Sequence, residues 1–586
     1  MTDILGEIIK VDGASCTARV NLGSFGEAAE HKSDPAVQAR VGELVKFQTP
    51  GSNVFGIVNG LAVTEYSARD GSRIGEMVID IIGEVRSRDD AGSESFQRGV
   101  SIFPALGAKV VSVDSIDINL VYAQPKKFSI NVGTIHQMED TPAHFVVDDL
   151  LNKHFAILGT TGSGKSCAVT LVLRAMLEEL PNAHIVMMDP HDEYSAAFGD
   201  LAEVINIDNL QLPYWLLNFE ELQKVLVSQT TTAREAELRI LRDAVLKAKK
   251  ENPENRHLAG YITIDTPISY RLSALKKNID DEMGTLTKAE GTAPYLRLLT
   301  KIDLMMHDKR YEFMFSSLLA RDIMPEILSR ILRIPTNNKP ITIIDLSGLP
   351  SEVTDVVVSV MCRSTFDFAL WNEDSQSVPI LFVCEEAHRY VPNTSSEGFE
   401  PTKKAIEQIA KEGRKYGVSL CLITQRPSEL SPSILSQCGT ILALRMNNEQ
   451  DLDYVRSALP EGAEGLLTVL AALHTQEGIV VGEAVNVPMR IKLGDLAPEH
   501  QPQSKSASFS TAWKNDTANF DMVSKAVLRW RQQKRRGAVT DAPKAPPGSL
   551  APPDTPDTPD TLAPQGPQAG TGSIRRKAPS GTFGTN

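Results

Sequence analysis

Apolar positions follow three different rhythms along this chain. Up to about residue 125 they come in short alternating runs broken by Gly and Pro, such as Gly6-Glu7-Ile8-Ile9-Lys10-Val11-Asp12-Gly13, Gly42-Glu43-Leu44-Val45-Lys46-Phe47 and Ile57-Val58-Asn59-Gly60. Many short strands at regular spacing predict a small β-barrel over 1–125. From about residue 143 the rhythm changes. Short continuous apolar runs at 154–158, 184–188, 341–345, 380–384, 418–424 and 441–445 alternate with helical stretches. That alternation predicts an α/β core with a parallel sheet, built from 143–215 and 336–500.

Between the halves of that core, residues 216–335 show apolar positions at helical spacing, as in Ala233-Arg234-Glu235-Ala236-Glu237-Leu238-Arg239-Ile240-Leu241. This predicts a helical insertion. Residues 501–536 form a C-terminal arm whose stretch 524–536 reads as a basic helix. Beyond it, residues 543–567 hold nine Pro, with Pro-Asp-Thr three times in succession at 553–561. Such a composition cannot bury enough apolar surface to fold, so 537–586 is expected to be a disordered tail with a short basic patch, Arg575-Arg576-Lys577.

Composition narrows the class. Hydrophobic residues are 42% and charged residues 23%, the proportions of a globular chain in water. No apolar run is long enough to span a bilayer, so no membrane partner is expected. The start, Met-Thr-Asp-Ile-Leu-Gly-Glu, has no signal-peptide pattern. Cysteines at 16, 167, 362, 384, 421 and 438 show no C-x-x-C spacing and sit mostly in apolar runs. They read as buried free thiols of a cytoplasmic protein. The net charge of −14 argues against an overall basic surface, but leaves room for a basic channel.

The candidate chemistry begins at Gly159-Thr160-Thr161-Gly162-Ser163-Gly164-Lys165-Ser166, followed by Cys167. This is the phosphate-binding loop G-x-x-x-x-G-K-[ST], with a strand-like run before it and a helix-like run after it. Glycines let backbone N–H groups turn toward phosphate oxygens, and the helix adds its positive end. Lys165 is expected to reach the β/γ-phosphates of ATP, and Ser166 to ligate Mg²⁺. Ile380-Leu381-Phe382-Val383-Cys384 ends in Glu385-Glu386, a strand delivering two acids. Glu385 is expected to hold the magnesium shell, although Asp is usual there. Glu386 is expected to polarise the attacking water. Gln425, ending the strand 418–424, suits a γ-phosphate sensor because its amide both donates and accepts. Asp189 opens the acidic segment Asp189-Pro190-His191-Asp192-Glu193-Tyr194 at the carboxyl edge of the sheet, where ligands bind in such folds, and is a further metal candidate.

Together these pieces, with Glu385-Glu386-Ala387-His388-Arg389-Tyr390-Val391-Pro392, Glu412-Gly413-Arg414-Lys415-Tyr416-Gly417 and Gln425-Arg426-Pro427-Ser428-Glu429-Leu430, resemble the HerA branch of the HerA/FtsK ATPases over roughly residues 1–500. Ile102-Phe103-Pro104-Ala105-Leu106-Gly107 resembles part of that family's HAS-barrel. The resemblance implies a RecA-like core, a homo-hexameric ring, and ATP hydrolysis coupled to movement along DNA. It implies a nuclease or effector partner, in end processing or phage defence. In rings of this class a neighbour's arginine completes the site, and Arg414 and Arg445 are the candidates. Arg414 lies in a run, 401–417, with five Lys/Arg against two Glu. Two departures stand out: Asp192 where many members have Gly, and Lys153 where Arg is common before the first strand. A motor on another polymer, a packaging or conjugative pump, and an ATP-dependent switch that assembles an effector without moving DNA are the competing readings.

Overall fold

The computed structural model describes residues 3–21, 40–49, 52–66, 73–86, 95–136, 138–227, 234–286, 291–374, 377–393, 399–458, 469–503, 509–514 and 519–532. The expected tail, the Arg575-Arg576-Lys577 patch and the end of the basic helix stretch lie outside the described residues.

The first seven strands are β1 (Ile4–Asp12), β2 (Ser15–Asn21), β3 (Leu44–Thr49), β4 (Ser52–Tyr66), β5 (Arg73–Arg86), β6 (Phe96–Arg98) and β7 (Lys109–Ser112). They pair in the order β2-β1-β7-β3-β4-β5-β6, and β2 also pairs with β5. That extra pairing closes six strands into the expected barrel and leaves no open edge between them. Ile8, Val20, Phe47, Val54, Met77 and Ile79 fill it.

The second sheet has eleven strands: β8 (Ser129–Ile135), β9 (Met138–Val146), β10 (Phe155–Leu158), β11 (His184–Asp189), β12 (Ala202–Ile205), β13 (Ile341–Asp345), β14 (Ile380–Glu385), β15 (Val418–Thr424), β16 (Thr440–Leu444), β17 (Glu477–Gly482) and β18 (Met489–Leu493). Their order is β12-β13-β11-β14-β15-β10-β16-β17-β18-β8-β9. From β12 to β16 all neighbours run parallel, and from β16 to β9 all run antiparallel. Residues 126–142, which the apolar rhythm leaves unassigned, therefore supply β8 and part of β9 to this sheet.

Alternate residues of the parallel strands feed different cores. Ala156 and Leu158 face one cluster, Phe155 and Ile157 the other. A sheet covered on both faces explains why its strands read as continuous apolar runs. His154 joins three elements: its buried ring accepts from the Leu420 amide (3.0 Å) and faces the Ala410 carbonyl (3.1 Å).

The insertion between β12 and β13 is helical, with helices Phe219–Leu226, Arg234–Glu251, Leu272–Gly284, Ala293–His307 and Met324–Leu332. Glu221 fastens it to the core. Its side chain is fully buried, closes a capping box with Asn218, accepts from Ser359 (2.8 Å), and pairs with Arg363 (2.8 Å) on the helix Ser351–Trp371. Removing one partner of a buried pair strands the other charge, at a cost of about 3 to 5 kcal/mol. Glu221→Ala is therefore expected to lower the urea midpoint of the core by a corresponding amount, and an unchanged midpoint would show the pair to be dispensable.

Residues 508–586 form a separate unit, in which a helix Phe520–Gln532 is described. Phe520, Val523 and Trp530 are exposed on it.

Candidate active site

The parallel strands end at one edge of the sheet, and the sequence motifs end with them. Between β10 and the helix Lys165–Glu179 runs the glycine loop. Each of two glycines has a local reason. A Cβ on Gly159 would lie 2.7 Å from Ser163 Oγ and 2.9 Å from Leu444 Cβ, so only hydrogen fits that approach. Gly164 opens the helix in the left-handed region, φ 93°.

β15 lies between β10 and β14, so the three strands set the loop, Gln425 and the two acids side by side. Gln425 spans the gap. Its amide oxygen accepts from the Thr161 hydroxyl, and its amide nitrogen donates to Glu386. Glu386 is 3% exposed and holds a left-handed backbone, φ 52° and ψ 44°. A β-strand that simply continued would point this residue elsewhere; the strained turn aims the carboxylate back across the strand ends. His388 Nδ1 lies 3.3 Å from Glu386 and 3.0 Å from Thr424 Oγ1. Burial lowers the His388 pKa, with the neighbouring Glu386 carboxylate opposing the shift.

Lys165 is buried and bridges Glu385 at 2.6 Å. Ser166 donates to Glu193 Oε2 at 2.6 Å. The remaining oxygen of Glu385, and the hydroxyl of Ser163, are buried with no hydrogen-bond partner among the described residues. Buried polar atoms without partners, beside a glycine loop and a lysine, fit a triphosphate with its magnesium ion. Open space lies beside the loop at Gly162, where a Cβ would meet nothing within 4 Å.

Asp189 is placed differently from the expectation for a metal ligand. It is fully buried, and its two oxygens accept from the amides of His191 (3.1 Å) and Tyr194 (3.1 Å). Burial pushes its carboxyl up to about 7, with Glu385 and Asp345 adding to the rise and the two amides opposing it. In these contacts it is a clasp for its own loop. Asp192 has φ 56°, which is why glycine suits that position, and its carboxylate accepts from Ser195 (2.9 Å), holding the turn with a side chain instead.

The two candidate arginines stand at opposite edges. The Arg445 carbonyl accepts from the Thr160 amide (3.2 Å) and hydroxyl (3.0 Å), so the Arg445 backbone flanks the loop of its own chain. Its Nε is buried without a partner among the described residues. Arg414 precedes β15, at the edge away from the loop, where it lines a cavity of about 470 Å³ with Glu179, Leu180 and His184. Lys153 is at that edge too, paired with Glu483. The sequence marks the segment 189–194 without singling out Glu193 or Tyr194, because nothing in a sequence distinguishes which of three neighbouring acids turns back.

The fold and this site define an α/β P-loop enzyme that hydrolyses ATP. The family model described as Helicase HerA, central domain, matches residues 130–365. A probable helicase of Methanocaldococcus jannaschii is 23% identical over 76% of this chain and 81% of its own length. The DNA double-strand break repair helicase HerA of Pyrococcus furiosus is 24% identical over 62% of this chain and 69% of its own. Among solved structures, VirB4 of Thermoanaerobacter pseudethanolicus superposes with a TM-score of 0.45 at 18% identity, covering 64% of this chain and 99% of that one. Over its central part this chain is similar to the HerA helicases.

Proposed function

We propose that this enzyme is an ATP-driven DNA translocase or helicase working as a hexameric ring beside a nuclease or other effector, in DNA end processing or antiviral defence. The position of Arg414 carries the ring. It precedes the entrance of β15, whereas Gln425 follows the exit of that seven-residue strand. A strand of that length spans about 23 Å at 3.3 Å per residue, so Arg414 cannot reach the phosphates bound by its own loop. It completes the site of a neighbouring copy. Matching relatives described as helicases support DNA as the polymer. No helix among the described residues is long and apolar enough to cross a membrane.

In this reading the glycine loop and Lys165 hold the β/γ-phosphates. Bound magnesium neutralises charge developing on the phosphates, with Ser166 and Glu385 as its protein partners. Glu386 accepts the proton of the attacking water. Gln425 senses the γ-phosphate through its bonds to both Thr161 and Glu386. Arg445 flanks the loop in cis.

Mixing tests the ring. Lys165→Ala subunits retain Arg414, and Arg414→Ala subunits retain an intact loop. Each variant alone is expected to be nearly inactive, while mixed rings should recover turnover at junctions joining the two intact halves. DNA should stimulate that turnover. Failure to complement would remove the trans role of Arg414. Turnover indifferent to DNA would favour an ATP switch that assembles an effector.

A further inference from the structure

The loop after β11 brings a third carboxylate to the phosphate loop. Asp189 clasps the amides of His191 and Tyr194, and the left-handed turn at Asp192 reverses the chain. These two features deliver Glu193 onto the Ser166 hydroxyl at 2.6 Å. Ser166 is the donor in that contact. A serine hydroxyl has one proton and two lone pairs, so donating to Glu193 leaves the lone pairs free for a cation. The next residue adds an independent observation. The Tyr194 side chain is fully buried, and its hydroxyl faces Glu385 and Ser166, short of good hydrogen-bond geometry to either. Glu385 Oε2 and the buried, unpartnered Ser163 hydroxyl, with an oriented serine in the same loop, leave polar demand that a hydrated cation on the phosphates can meet.

We propose that Glu193, rather than Asp189, is the acid of this loop that serves the magnesium ion, as a positioning residue. It orients Ser166 for the metal and accepts from the metal's water molecules, while Asp189 shapes the loop that carries it. Glu385 is engaged by Lys165 until nucleotide arrives, so Glu193 is the carboxylate already facing the serine. The inference rests on reading this site as one for nucleotide with Mg²⁺. A partner one shell beyond a metal ligand typically changes metal affinity 10- to 100-fold, which sets the size of the expected effect.

The test uses the full chain and Mn²⁺ as the probe. Free Mn²⁺ is followed by electron paramagnetic resonance during titration in the presence of ADP, and ADP affinity is measured separately in EDTA. Glu193→Gln keeps the shape of the side chain and is expected to weaken Mn²⁺ binding about 10- to 100-fold. ADP affinity in EDTA should stay within about twofold. Combined with Ser166→Ala, Glu193→Gln should add much less than its effect alone, because the two act through one contact. Unchanged Mn²⁺ affinity in Glu193→Gln, or fully additive losses, would overturn the role of Glu193 while leaving the nucleotide site standing. Wild-type protein that binds neither ADP nor Mn²⁺ with ADP would overturn the site itself, and the inference with it.

Discussion

Lys165→Ala is expected to reduce ATP turnover below detection. Two losses coincide. The cation meant for the β/γ-phosphates disappears, and removing one fixed electrostatic group from a phosphate or oxyanion site costs on the order of 10²- to 10³-fold by itself. The second loss is internal. Glu385 has Lys165 as its 2.6 Å partner, and both are nearly fully buried. With alanine, the carboxylate faces a buried gap without a cation. Nucleotide affinity should fall along with turnover. Filter binding of labelled ATP, with steady-state phosphate release with and without DNA, measures both. Turnover within tenfold of wild type would refute the assignment of the loop.

Glu386→Gln should separate binding from hydrolysis. Glutamine keeps the volume and can still bond to Gln425, but it cannot accept a proton. General-base removal lowers rates by about 10²- to 10⁴-fold. ATP affinity should stay near wild type, because Glu386 bonds to Gln425 and not to the loop or Lys165. Pre-steady-state kinetics should then show ATP bound and uncleaved. Glu385→Gln should behave differently, since it frees Lys165 and weakens the metal site together. If Glu385→Gln is instead the variant that traps uncleaved ATP, the two acids have exchanged roles.

Much of this was legible in the chain because the signals are local. The apolar runs at 184–188 and 380–384 locate β11 and β14 to within a residue, since strands buried on both faces need no alternation. The glycine loop declares itself by spacing. Signals that depend on distant partners were silent. β8 and β9 carry Gly133 and Pro142 and pair with each other, and β8 also pairs with β18, more than 350 residues away in sequence. β12 is a four-residue strand, Ala202–Ile205, too short to show a period. The side of the sheet on which each arginine falls is likewise a matter of strand direction. Arg414 precedes a parallel strand and Arg445 follows one, and that alone places them at opposite edges. Glu193 was hidden for a subtler reason: the φ of Asp192 decides where it points, and Asp gives a weaker hint of a left-handed turn than Gly does.

The way β18 receives β8 bears on how this protein can be divided for laboratory work. A shortened chain starting at residue 143, where the helical rhythm begins, would discard β8 and most of β9. β18 would then present unpaired amides and carbonyls, an invitation to edge-to-edge aggregation. Starting near residue 126 keeps all eleven strands. Even that cut is not clean, because Leu44, Phe55, Ile57 and Ile82 of the barrel belong to the same apolar cluster as the core of the ATPase. Solubility of a barrel-less motor would therefore call for polar replacements on the face those four residues cover.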